Sequence, residues 1–247
     1  MCSLIVEIVI MDKEDSFLVK LDEEQASIWR NVIPFETELN VWKEEVYFST
    51  PVELKLSRDD LVYKVVPGRV YYWSPGKAMC LFYGLTEAYT PVAPIGQYVG
   101  PLTSLRTVES GEKAIVKEHC IYDKYADIIQ GLEQRGYLVG TPLSDGTRII
   151  VASKNIGRYR LSFNIYVEDY GYHIESDELL PYLGDYNSIR ILRYLKELLK
   201  DSRLLRADIS EENSIVITSG INKEDLWNAI EELEQYYPLL IKILWNI

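Results

Sequence analysis

Trp42, Glu44, Glu45 and Tyr47 lie within six positions of one another, and a second aromatic cluster, "YYWSPGKAMCLFYG" at residues 71–84, adds Tyr72, Trp73 and Cys80. Two carboxylates can divide acid and base roles when they flank one bond. Adjacent residues of an extended strand point to opposite faces, however, so Glu44 and Glu45 cannot both reach the same bond. One of them could still face a groove. The rings offer a different chemistry, a large apolar contact area with a polar tip, which suits the holding of a small molecule. Trp42, Glu45, Tyr47, Tyr72 and Trp73 are therefore the candidate ligand-binding residues, with plain hydrophobic core as the competing role for the rings.

The other reactive residue types carry weaker signals. "SPGK" at 74–77 lacks the spaced glycines and the Lys-Ser/Thr pair of a phosphate loop, and Pro75-Gly76 instead suits the two central positions of a type II turn. Cys80 sits in an apolar run without a nearby base, which predicts a buried, inert thiol. His119, Cys120 and Asp123 fall short of a zinc pattern. The acidic stretch at 167–178 around His173 lacks the alternating ligands of a calcium loop, and reads as an exposed hairpin. "SDGT" at 144–147 is a hairpin turn with no histidine to activate its serine. These patterns leave any catalytic residue unknown, and no metal site or cofactor is expected from them.

The elements that position these residues divide the chain in two. Residues 4–10 and 17–21 read as strands, and Asp22 opens a short helix carrying Ala26 and Trp29 that ends before Pro34. Short β-rich runs follow at 45–49, 52–56, 62–66, 69–73, 78–83 and 95–99, separated by turn residues, which argues for a closed barrel or sandwich. The pattern changes at about 105–115. Beyond it, an amphipathic helix with Tyr125, Ile128, Ile129 and Leu132 on one side leads to strands at 147–153, 159–168 and 172–175. A helix at 188–201, strands at 204–209 and 214–218, and a last helix opening at Asn222 complete an α+β pattern with an antiparallel sheet and about three helices.

Composition narrows the function classes. The 247 residues include 26 Lys+Arg against 38 Asp+Glu, a net charge of −12, and acidic residues outnumber basic ones on both sides of residue 107. No basic face suited to nucleic-acid phosphates emerges, so no nucleic-acid partner is expected. Three scattered cysteines, Cys2, Cys80 and Cys120, form no disulfide framework and fit a reducing compartment. The start reads as a first strand and not a signal peptide, and no apolar run is long enough to span a bilayer. A cytoplasmic protein without membrane contact is the expectation. The apolar tail at 239–247 would pack in the core or at a subunit contact, which would make a homo-oligomer.

The first half also carries a resemblance. "PFETELNVWKEEVYFSTPVEL", "VPGRVYYWSPGKAMCLFYG" and "PIGQYVGPL" are similar to successive blocks of the cyclophilin-like family of small prokaryotic β-barrel proteins. In that family a tryptophan precedes an acidic pair and a strand, here Trp42, Glu44, Glu45, Val46, Tyr47 and Phe48, and a segment like the one from Gly68 to Cys80 follows. This sequence departs at Lys43, Arg69 and Ser74, where the family has glycine, an acidic residue and proline. Lysine rarely takes the left-handed conformation that glycine allows, so the turn at 43 could differ. The resemblance implies an eight-stranded barrel over about residues 1–107. Prolyl isomerases of cyclophilin architecture use an arginine in a Phe-His-Arg motif, which Arg30 and Arg58 do not match, so that activity is not expected here.

The resulting expectation is two domains: a cyclophilin-like closed barrel with one short helix at 1–108, and an α+β domain at 113–247. The function expected is non-catalytic binding of a small molecule or extended peptide in an aromatic groove. The alternatives are an enzyme of unknown class using carboxylates such as Glu45 or Glu168 in the inter-domain cleft, and a self-associating scaffold protein.

Overall fold

The computed structural model describes residues 4–244; Cys2 and the end of the apolar tail, residues 245–247, lie outside the described residues. The first sheet is built from β1 (Leu4–Ile10), β2 (Asp15–Leu21), β3 (Phe35–Glu38), β4 (Asn40–Trp42), β5 (Glu45–Ser49), β6 (Arg69–Trp73), β7 (Ala78–Phe82), β8 (Ala93–Val99) and β9 (Lys113–Glu118), with helix α1 (Glu23–Arg30) between β2 and β3. The strand order is β3-β9-β1-β2-β8-β6-β7-β5-β4. The Thr37 hydroxyl donates to the Ser49 carbonyl at 2.9 Å, linking β3 to β5 through a side chain where no strand ladder joins them. The barrel is thus nearly closed and has nine strands, where the resemblance implied eight in a closed ring.

Period-two alternation decides what faces the barrel interior. Leu4, Val6, Ile8, Val46, Phe48, Val70, Tyr72, Met79 and Leu81 are buried together with Trp29 of α1. Asp22 precedes α1 as expected, but its carboxylate makes no cap bond and instead pairs with Arg69 at 2.5 Å. Three expectations need correction. Residues 52–56 form no strand; Val52 and Leu54 are buried as extended coil, and the Tyr72 hydroxyl donates to the Val52 carbonyl. Residues 62–66 contribute only the bridge between Val62 and Val92. Residues 113–118, placed beyond the boundary and not read as a strand, form β9, which pairs with both β1 and β3, so the first sheet runs to residue 118.

The rest of the chain forms α2 (Ala126–Gln134), β10 (Leu138–Gly140), the hairpin β11 (Leu143–Ser144) and β12 (Thr147–Arg148), then β13 (Ile150–Ile156), β14 (Tyr159–Glu168), β15 (Gly171–Ser176), β16 (Leu180–Pro181), α3 (Tyr186–Leu198), β17 (Arg206–Ile209), β18 (Ser214–Ile221) and α4 (Leu226–Leu244). The antiparallel order is β10-β13-β14-β15-β18-β16, with β17 also on β18. Leu161, Phe163 and Ile165 of β14 face the three helices, against Ile129, Leu195 and Leu233. The opposite face turns Val151 and Tyr166 toward Leu18 and Val99 of the barrel. Helix α4 continues past Pro238, and Leu240, Ile241 and Leu244 of the apolar tail pack against this second sheet. Among the described residues no helix is long and apolar enough to cross a membrane.

Charged groups cross the seam between the two sheets. Glu7 of β1 accepts from Ser16 at 2.8 Å and from Arg148 at 2.5 Å, and faces His119 Nδ1 at 3.5 Å. The Thr141 backbone N–H donates to His119 Nε2, which leaves the ring proton on Nδ1 toward Glu7. Arg148 donates also to the Thr141 carbonyl. A second set centres on Asp177, which accepts from the Leu102 and Thr103 amides and from Ser162. Beside it Arg160 donates to the Tyr98 and Gly100 carbonyls.

Candidate functional site

A two-residue turn brings the first site residues together. Trp42 of β4 pairs with Glu45 of β5 across Lys43-Glu44, and Lys43 takes φ of 55°. Positive φ at the first central residue is what glycine favours in such a hairpin. The lysine therefore adopts the left-handed conformation that glycine allows and lysine rarely takes. Its carbonyl accepts from the Tyr83 hydroxyl at 3.0 Å, and its ammonium lies 4.3 Å from the Trp42 ring centroid. Glu44 belongs to this turn and not to a strand, so the opposite-face argument does not govern it.

Across the ladder Tyr47 pairs with Cys80, and Cys80 with Tyr71, which places these side chains on the outer face of the barrel with Glu45 and Trp73. Glu45, Tyr47, Trp73 and Cys80, together with Trp42, line a recess of 290 Å³ whose remaining wall comes from Ala88, Tyr89, Thr90 and Val92. The Trp73 indole N–H donates to Thr90 at 2.7 Å, and Tyr89 meets Trp42 edge-on at 6.2 Å. Four of the five candidates, Trp42, Glu45, Tyr47 and Trp73, thus share one recess. Tyr72 does not: it points into the barrel core, 1% exposed, because it alternates with Trp73 along β6. Sequence reasoning missed Tyr89 and Thr90, which lie in an irregular loop with no periodicity to place them.

Glu45 sits at the base of these rings and is only 7% exposed. Burial pushes its carboxyl above the usual carboxylate range, and the Cys80 thiol that donates to it offsets part of that rise. The same burial, with Glu45 alongside, pushes the Cys80 thiol well up, in keeping with the inert cysteine expected. Among the described residues no cation pairs with Glu45.

The loop that forms the outer wall is held by Glu44, whose carboxylate accepts from the Leu85 amide at 2.7 Å and reaches the Thr86 hydroxyl. Gly84 makes this possible, since a β-carbon there would stand 2.1 Å from the Glu44 carboxyl carbon. Gly84→Ala should displace Glu44 without touching the core. Losing a charge-assisted bond costs about 1.5–3 kcal/mol locally, so the Leu85 amide should exchange its hydrogen about tenfold faster or more. Unchanged exchange at Leu85 would show that another group holds the loop.

The remaining sequence candidates are dispersed. At "SPGK" the Lys77 amide donates to the Ser74 carbonyl, and the left-handed residue is Lys77 at φ 47°, not Gly76, so the turn is not type II. Gly76 is needed because the Trp73 ring packs where a β-carbon would be. Asp145 and Gly146, with φ of 47° and 74°, make "SDGT" the tight turn of the β11–β12 hairpin. His119 is buried in the seam, whereas Cys120 and Asp123 are exposed. Among the described residues no group of three or more His, Cys, Asp or Glu is placed to hold a metal ion. Glu168 is exposed at the end of β14. A larger space of 470 Å³ lies between the two sheets, lined by residues including Asp15, Tyr98, Arg106, Glu175, Glu178 and Glu212, but by neither Glu45 nor Glu168.

A nearly closed antiparallel barrel with an aromatic recess on its outer face is the class of protein that residues 4–118 define. Residues 6–117 match the family model described as Cyclophilin-like. Among solved structures the chain is similar to a hypothetical protein from Archaeoglobus fulgidus, with 27% identity over 47% of this chain and 94% of that one, at a TM-score of 0.39. It is also similar to McbB, solved in complex with tryptophan, with 16% identity over 53% of this chain and 54% of that one, at a TM-score of 0.38. No curated protein matches the chain.

Proposed function

We propose that this is a non-catalytic binding protein that takes a small molecule into the recess on the outer face of its barrel. The observation that supports this most is the convergence of Trp42, Glu45, Tyr47 and Trp73 with Tyr89 and Thr90 around one open recess of 290 Å³. That volume is at the small end of ligand pockets, which favours a compact molecule over an extended peptide. Among the described residues no histidine, arginine or lysine lines the recess, and its single carboxyl has no second acid to share a proton with. Neither prolyl isomerisation nor paired acid-base chemistry finds support there. The division of labour that goes with this reading is two domains, parted after β9 instead of at residue 108. Chemistry in the space between the sheets has less support, because Glu178 there is already engaged by Arg106 at 2.6 Å and by Ser214.

A thermal-shift screen of metabolites tests the reading. A ligand at about a hundred times its Kd stabilises by about 2.7 kcal/mol, a rise of roughly 5–10 °C for a chain of this size. The rise should vanish in Trp42→Ala and in Trp73→Ala. Both positions lie outside the barrel core, so the unliganded melting point should move by much less. Hits that survive both substitutions would place binding elsewhere.

A further inference from the structure

The recess has apolar, electron-rich walls and one acidic group at its base. Trp42, Tyr47, Trp73 and Tyr89 present rings, and Ala88 and Val92 fill the gaps between them. Glu45 is the lining residue that can carry charge at neutral pH, and within the described residues it meets only the weak thiol donor of Cys80. A buried carboxyl without a strong donor is costly to keep, and a cation is the partner that repays the burial most fully. Aromatic faces favour the same partner, since the ring quadrupole attracts positive charge. The Lys43 ammonium already rests on the Trp42 ring. An anion would meet Glu45 directly, in a chain whose net charge is −12.

We infer that the occupant of the recess is a small organic ammonium ion, with its charged nitrogen donating to Glu45 and its apolar body between Trp42, Tyr47 and Trp73. This rests on the binding role proposed above and adds the chemical class of the ligand. The ammonium supplies the donors that the Cys80 thiol supplies weakly, and the rings exclude water from the pair, which strengthens it.

Three probes of nearly equal shape separate the charge from the shape: 2-phenylethylamine, 2-phenylethanol and phenylacetate, titrated into the full chain at pH 7.5 by calorimetry and tryptophan fluorescence. The amine should bind about tenfold or more tightly than the alcohol, the difference expected of a hydrogen bond to a charged group, and phenylacetate should bind weakest. In Glu45→Gln the amine should fall to the level of the alcohol while the alcohol keeps its affinity. Equal affinity of amine and alcohol, both lost in Trp42→Ala, would overturn the ammonium inference and leave the binding role standing. Failure of all three to bind in a Trp42-dependent way would overturn both. The three-probe comparison needs only the natural sequence, so it decides the matter even if Glu45→Gln folds poorly.

Discussion

Arg148→Ala should lower folding stability by about 3–5 kcal/mol in urea titrations, the size of effect expected when one partner of a buried ion pair is removed and the other is left behind. The group left behind is Glu7, 1% exposed on β1, which would keep only Ser16, His119 and the more distant Lys117. The same substitution should flatten the acid dependence of stability. Burial, the largest influence on Glu7, pushes its carboxyl up, but donation from His119, Arg148 and Ser16 outweighs it and holds the group at about 2, below the ordinary 4.5. A carboxyl lowered by folding contributes stability that is complete above its ordinary value and lost as pH falls through its folded one. Stability should therefore decline between about pH 4.5 and about pH 2, by roughly 3 kcal/mol from this group. A loss below about 1 kcal/mol in Arg148→Ala, or an unchanged acid slope, would show that water replaces the arginine.

Asp177→Ala should be of similar size, about 3–5 kcal/mol, for a related reason. Its carboxylate receives the Leu102 amide at 2.7 Å, the Thr103 amide at 3.2 Å and the hydroxyls of Thr103 and Ser162 at 3.0 Å, and Arg160 stands 3.8 Å away. Removing it orphans donors on both sides of the seam at once. Burial already pushes the Arg160 guanidinium down, with Asp177 the main charge working against that. In a double-mutant cycle with Arg160→Ala, the pair should therefore cost less than the sum of the single losses, by about 1–3 kcal/mol. Additive losses would mean that the two side chains act independently.

Local sequence made the apolar half of this architecture legible and hid its junctions. The alternation of Leu4, Val6 and Ile8, or of Leu161, Phe163 and Ile165, follows from the geometry of a strand with one buried face. The residues at 52–56 have the same composition without a neighbouring strand to pair with, and composition cannot supply a partner. At the candidate site the ring types were readable but the facing was not. Tyr72 and Trp73 are chemically alike, and only the register against β7 and β8 sends one inward and the other out. Strand β4 was obscured because Lys43 stands where a glycine would have marked the turn. Glu7, Arg148, Asp177 and Arg160 are far apart in the chain, and nothing local singles them out from other surface charges.

Strand β9 carries a consequence for how the chain folds. Its residues complete the sheet beside β1, and His119, directly after it, reaches back to a glutamate 112 positions earlier. The edge of β1 that β9 covers therefore waits unpaired until residues more than a hundred positions later have been made. Contacts of such long sequence separation close slowly and leave apolar edges available to other chains in the interval. Because Thr141 and Arg148 join the same residues, barrel closure and docking of the following segment converge on one cluster, and a fragment cut at residue 108 would lack the strand that seals its own first edge.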